Sequence, residues 1–343
     1  MLKKIVCAGF ALCLLCAACA AAPETEPSTA HGGATTTLYE ETTITGTEVE
    51  PISGVPPAPD VTAGVAAKPV PPDAVVLKGE PDPSANTATG LRPLAPRPID
   101  ISEPQSSLPV KKIEHSYGAA TGGTVHSISK ENQAFFDQKG YAAVAYDNKS
   151  AEKTLYLTFD CGYENGNTAI ILDVLKEKDV PAAFFCTVDE MRSAPEIVAR
   201  MINEGHIVGN HSVTHPHFSQ ISRTQMAKEI LEADNYLREN FGYSAPFFRF
   251  PFGEYTESAL EAVASLGFTS VFWSAAYKDW ETDRQQGAQY AYDTVTSRLH
   301  PGAVLLLHSV SADNAQAMGR IIDKARADGY AFRHLTTLPA FDP

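Results

Sequence analysis

Beyond residue 19 the sequence holds only two cysteines, Cys161 and Cys186; the other four, Cys7, Cys13, Cys16 and Cys19, crowd its start. That excludes a disulfide-stapled scaffold. The apolar run over residues 5–15 is too short to make a good membrane-spanning helix. Positive charge is scarce as well. There are 27 Lys and Arg against 41 Asp and Glu, a formal net charge of −14, and no basic stripe. Nucleic acid is therefore excluded as a partner, because phosphate binding needs clustered cations. Between residues 20 and 112 aromatic side chains are almost absent. Such a stretch cannot bury enough apolar surface to offset the entropy of ordering it.

What is there falls into three parts. Lys3 and Lys4, the short apolar run and the small residues after it read as a secretory signal over residues 1–19. Leu15-Cys16-Ala17-Ala18-Cys19 resembles a bacterial lipobox, with Cys19 as the residue that carries lipid at the mature N-terminus. Export is expected, with the membrane reached through a lipid on Cys19; the alternative is cleavage after Ala18 or Ala20 and free secretion. Residues 20–112 hold 16 of the 24 prolines, and residues 20–110 carry twelve acidic and four basic side chains. They are expected to form a disordered, extended acidic tether. Residues 113–343 are expected to form the folded domain.

In that domain short apolar runs alternate with amphipathic stretches. Strands are expected at 155–159, 182–187, 206–209, 247–250, 269–273, 303–307 and 331–334. Helices are expected at 168–178, 196–203, 224–241, 257–265, 288–299 and 314–327, several ending at a glycine: Gly205, Gly242, Gly267 and Gly329. About seven strand–helix repeats imply an α/β protein, a parallel sheet with helices outside, closed or nearly closed into a (β/α)-type barrel. In such barrels chemistry gathers at the carboxyl ends of strands.

Those ends are rich in titratable groups. The first strand ends in Thr158-Phe159-Asp160-Cys161-Gly162. The third runs into His211-Ser212-Val213-Thr214-His215, two imidazoles four apart that one helical turn would aim the same way. The fourth ends in Arg249-Phe250-Pro251-Phe252-Gly253, the fifth leads to Asp279-Trp280, and the sixth ends in Leu306-Leu307-His308. Ionisable side chains at one rim are costly unless they do chemistry.

The ordered set Thr158-Phe159-Asp160-x-Gly162, His211-Ser212-x-x-His215, Arg249-x-Pro251-Phe252-Gly253, Asp279-Trp280 and Leu306-x-His308 resembles the five motifs of NodB-type polysaccharide deacetylases, carbohydrate esterase family 4. The resemblance covers about residues 150–340 and implies that family's distorted (β/α)7 barrel. Tyr163-Glu164-Asn165-Gly166, Val271-Phe272-Trp273-Ser274, the stretch from His308 to Ala315 and His115-Ser116-Tyr117-Gly118 are similar to the branch that forms muramic-δ-lactam in the spore cortex. The implied substrate is N-acetylmuramic acid in peptidoglycan glycan strands, and no protein partner is implied.

The resemblance also implies roles. His211 and His215 hold a divalent ion, zinc by expectation, which eases deprotonation of the attacking water and polarises the acetyl carbonyl. Asp160 is the general base, and Arg249 keeps it ionised. His308 is the general acid, oriented by Asp279, with Trp280 packed against it. The backbone N–H of Phe252 helps hold the oxyanion, and Leu306 lines the pocket for the acetyl methyl. Two departures stand out. Phe250 replaces the usual proline, and Cys161 stands where most of the family has an aspartate ligand. Cys161 therefore has three open readings: a thiolate ligand, an unbound neighbour of a two-histidine site, or a disulfide partner of Cys186.

Two rival functions remain open on the sequence. One is deacetylation of N-acetylglucosamine in peptidoglycan or a surface glycan. The other is an inactive cell-wall-binding homologue, which substitution at a ligand position would produce.

Overall fold

The computed structural model describes residues 76–99, 106–115 and 120–338. The expected signal at 1–19, Cys19 with its lipid, and tether residues 20–75 lie outside the described residues.

In chain order the strands are β1 (Leu77–Lys78), β2 (Ile113–Glu114), β3 (Ala143–Val144), β4 (Thr154–Cys161), β5 (Ala182–Cys186), β6 (Ile207–Asn210), β7 (Tyr243–Ser244), β8 (Phe247–Phe248), β9 (Glu254–Tyr255), β10 (Thr269–Val271), β11 (Ala275–Ala276), β12 (Ala303–His308) and β13 (Ala331–Phe332). The helices are α1 (Ser127–Lys139), α2 (Asn167–Glu177), α3 (Val188–Ser193), α4 (Pro195–Asn203), α5 (Arg223–Phe241), α6 (Glu257–Ser265), α7 (Ala288–Ser297) and α8 (Ala312–Ala327).

Nine strands form one curled sheet in the order β11-β12-β4-β5-β6-β8-β10-β3, with β13 also on β4. Every pairing in it is parallel. The core of β4 is apolar on both faces, and all eight of its residues are buried, as a central parallel strand demands. The sheet curls far enough for Tyr146, just past β3, to bridge Ala303 of β12. Gly302 makes this closure possible. Its φ is 76°, and a Cβ there would lie 2.2 Å from the Asp147 carbonyl oxygen. The expected barrel is thus an incompletely closed one. Serine and threonine caps at Thr187, Ser222, Thr256 and Ser311 accept backbone N–H groups in the first turns of α3, α5, α6 and α8.

The tether prediction needs correcting over the described residues 76–99 and 106–112. β1 pairs antiparallel with β7, and the chain then runs along the end of α5. Thr89 Oγ1 donates to the Phe241 carbonyl at 2.6 Å, and the Ala88 and Leu94 N–H groups donate to Asn240 and Arg238 at 3.2 and 2.9 Å. The last carbonyls of a helix have no partner within it, and this segment supplies one. The backbone does most of this work, so the side-chain composition gave no sign of it. Residues 113–114 then pair with β9. Among the described residues, no helix is long and apolar enough to cross a membrane.

Candidate active site

The carboxyl ends of the sheet surround a cavity of about 480 Å³ whose lining includes Asp160, His211, His215, Phe252, Leu306 and His308. Asp160 and His308 are register partners on β4 and β12. A carboxylate and an imidazole thus leave the same face of neighbouring strands.

Asp160 is held from beneath. Arg249 is fully buried. Its Nη1 donates to Asp160 Oδ1 at 2.8 Å, while Nε and Nη2 donate to the carbonyls of Val271 and Phe272 at 2.9 and 3.1 Å. Its guanidinium carbon lies 4.2 Å from the centre of the Phe185 ring. Burial alone would raise the Asp160 pKa. The cation of Arg249, with His211 and His308, outweighs it, so the carboxyl lies below its ordinary value and stays ionised.

His211 directly follows β6. Its Nδ1 bonds the Arg249 carbonyl at 2.8 Å, which directs Nε2 to within 3.6 Å of Asp160 Oδ2. The His215 ring lies 4.8 Å from it, centre to centre. The expected helical turn between the two is absent. Ser212 and His215 instead take left-handed φ angles of 71° and 55°. The Asn210 side chain accepts the Ser212 N–H at 2.9 Å, and Ser212 Oγ accepts the His215 N–H at 3.0 Å. Non-glycine residues in this region carry strain, which clusters at functional sites. Burial holds both imidazoles neutral, His215 down to about 4 and His211 below its ordinary value.

The acid side is equally fixed. His308 Nδ1 bonds Asp279 Oδ1 at 2.7 Å, and the His308 N–H donates to Asp279 Oδ2 at 2.8 Å. Asn314 Nδ2 donates to the same Oδ2 at 2.6 Å, and Tyr277 O–H donates to Asn314 Oδ1 at 2.6 Å. Burial would lower the His308 pKa; Asp279 outweighs it and raises the value. The Trp280 ring lies 5.3 Å from the His308 ring. Leu306 is buried in the cavity wall beside it. Phe252 has a left-handed φ of 59°, and its ring stacks on His217 at 4.1 Å.

Cys161 is not brought to this group. Consecutive residues of a strand face opposite ways, and Cys161 does not line the cavity. Its Sγ accepts a hydrogen bond from Ser309 Oγ at 3.3 Å, and both Cys161 and Cys186 are free and buried. The ligand reading of Cys161 is therefore corrected. Burial, reinforced by Cys186, raises its pKa well above the ordinary thiol value.

The remaining donors still fit a cation. Two neutral imidazoles facing one cavity beside an ionised carboxylate are a donor set for a divalent metal such as zinc. Among the described residues no three His, Cys, Asp or Glu side chains converge tightly enough to hold one unaided. His211 and His215 would therefore hold it with water or substrate completing the coordination.

Sequence spacing gave no catalytic place to His115, yet it lines the cavity wall. Its Nε2 bonds the Trp273 carbonyl at 2.6 Å and Nδ1 bonds Asn132 at 2.7 Å. Burial pushes its pKa down to about 4, which keeps it neutral. The supporting roles of Asn314 and Tyr277 were also missed. The similarity of the 308–315 stretch to one branch was the one signal pointing to Asn314.

Comparison with known proteins follows the same lines. A family profile described as polysaccharide deacetylase matches residues 147–271. The chain is 40% identical over 194 residues to the peptidoglycan-N-acetylmuramic acid deacetylase PdaA of Bacillus subtilis, covering 56% of this chain and 74% of that protein. It is 32% identical over 206 residues to a peptidoglycan-N-acetylglucosamine deacetylase of Bacillus cereus, covering 58% and 71%. The solved structure of Bacillus subtilis PdaA, a family 4 carbohydrate esterase, matches with a TM-score of 0.63 at 36% identity, covering 67% of this chain and 98% of that one.

Proposed function

The chain belongs to the polysaccharide deacetylase family of carbohydrate esterases, and from that membership we propose that it removes the acetyl group of N-acetylmuramic acid in peptidoglycan. The observation that carries the chemistry is the facing pair Asp160 and His308, each fixed by its own buried partner. Asp160, ionised beside Arg249, takes the proton of the attacking water. His308, held protonated by Asp279, gives a proton to the leaving amine. The Leu306 side of the cavity takes the acetyl methyl, and the Phe252 turn faces the developing oxyanion. His211 and His215 would hold a divalent cation, which would supply Lewis-acid polarisation of the acetyl carbonyl and ease deprotonation of water near neutral pH. Export and a lipid on Cys19 would place this site against the cell wall.

The muramic reading is supported by the identity to the Bacillus subtilis muramic acid deacetylase and by the 163–166 and 271–274 sequences. One observation favours N-acetylglucosamine instead. A muramic residue freed of its peptide carries a lactyl carboxylate. Among the described residues, Lys and Arg side chains are missing from the cavity lining, and Arg249 is committed to Asp160. Mass spectrometry of reduced muropeptides after treatment with the enzyme separates the two. Acetyl loss from muramic acid is the expected result, and acetyl loss confined to glucosamine would replace it with the second reading.

A further inference from the structure

Behind the catalytic rim, the ends of β4 and β5 hold a set of side chains that the deacetylation chemistry leaves unused. Cys161 and Cys186 are register partners on these adjacent parallel strands, so both thiols leave the same face of the sheet. Both are free and fully buried, and the two thiols interact with each other. Glu190, in α3 and four residues after Cys186, is also fully buried, and neither of its carboxylate oxygens has a hydrogen-bond partner. Its charge acts on both thiols. Burial, with Glu164 and Glu196 adding to it, pushes the Glu190 pKa up to about 7. An orphaned buried carboxyl is costly and calls for a physical reason.

We propose that Cys161 and Cys186 form a dithiol–disulfide couple for which Glu190 is the proton acceptor. Neighbouring strands lie about 4.8 Å apart, inside the Cα separation of about 4.4–6.8 Å that a disulfide spans. The oxidant is another disulfide, RSSR. The Glu190 carboxylate takes the proton of one thiol. The thiolate attacks a sulfur of RSSR, breaks its S–S bond and releases RS⁻, which collects the proton from Glu190. The second thiol loses its proton the same way and attacks the mixed disulfide, releasing the second RS⁻. The cysteines give up two electrons and two protons, and RSSR leaves as two RSH.

The bond would lie directly behind the site. Cys161 follows Asp160, and the Cys186 carbonyl receives the His211 N–H at 3.1 Å. Closing the pair therefore ties the strand end bearing the base to the one that anchors the first imidazole. This inference is independent of the substrate.

The test uses the full chain, first reduced, then exposed in its native state to the small disulfide cystamine. Trypsin cuts after Lys176 and Lys178, which lie between the two cysteines, so only a disulfide keeps their peptides together. The expected results are a peptide linked through Cys161 and Cys186 and a thermal midpoint several degrees above that of the reduced protein. Cys186→Ala shows neither; Cys186→Ser, its close isostere, replaces it if the alanine variant does not fold. Glu190→Gln reaches the same linked product several-fold more slowly. Recovery of the two cysteines as free thiols or as separate cystamine adducts overturns the couple. Closure of Glu190→Gln at the wild-type rate overturns the assigned proton acceptor.

Discussion

Each working side chain in the site is defined by the group that holds it. Asp160 is paired with Arg249, and its pKa is lowered; His308 is paired with Asp279, and its pKa is raised. With Asp160 proposed as the ionised base and His308 as the protonated acid, kcat/KM should be bell-shaped in pH, with its acid limb below the ordinary carboxyl value and its alkaline limb above the ordinary imidazole value. Asp279→Asn removes the charge that raises His308. Its alkaline limb should move to lower pH while the acid limb stays, a shift that a pH series of acetate release reads directly. The stability linkage runs in matching directions. The Asp160 contribution is present above the unfolded carboxyl pKa and is lost as pH falls through the lowered folded value. The His308 contribution is complete below the unfolded imidazole pKa and is lost as pH rises through the raised folded value. Arg249→Met leaves Asp160 buried without its partner, a change that costs about 3–5 kcal/mol. Urea unfolding should show that loss together with loss of turnover. That Asp160, His211, His215, Arg249, Asp279 and His308 gather at one rim was legible because ionisable groups at strand ends have few other reasons to be there. Asn314, Tyr277 and His115 were not, since an amide, a phenol and a neutral imidazole declare a role only through what they touch. The ligand reading of Cys161 came from its place in the family motif, where an aspartate is usual, whereas strand alternation sends its side chain and that of Asp160 to opposite faces.

At the level of elements, the sheet was readable and its closure was not. β4, β5 and β12 are continuous apolar runs that the sequence places to within one or two residues. β3 and β11 are two residues each, too short for any periodicity to show. The 210–215 turn was misjudged for a different reason. Spacing of four fits a helix, but side-chain bonds from Asn210 and Ser212 favour a left-handed turn. Ser212→Ala should therefore cost cation affinity more than stability, measured by metal titration followed with tryptophan fluorescence; unchanged affinity would mean that the turn does not set the imidazole pair. Closure depends on Gly302. Gly302→Ala forces both a left-handed φ and a clash with the Asp147 backbone. It should destabilise the protein by at least 1–3 kcal/mol, the usual size of such strain, and a thermal midpoint equal to wild type would contradict that.

Over the whole molecule, the described residues 76–99 are tied to the end of α5, and residues 113–114 to β9 beside the site. Removing residues 76–99 should lower the thermal midpoint while leaving kcat close to wild type, because their described contacts lie with α5, β7 and the Leu266 and Phe268 stretch after α6, and none of them lines the cavity. The proposed cation dependence is tested on the assembled molecule too. Prolonged chelation should abolish acetate release, and added zinc or cobalt should restore it. Asp160 and His308, facing each other beside the His211–His215 pair, are proposed to hydrolyse an acetamide. The most direct measurement is acetate release from purified peptidoglycan fragments by wild type and by Asp160→Asn, with circular dichroism confirming that both are folded. Release by the wild type and its loss in the variant are expected; turnover by Asp160→Asn at the wild-type rate, or none by the folded, zinc-supplied wild type, would overturn the pairing.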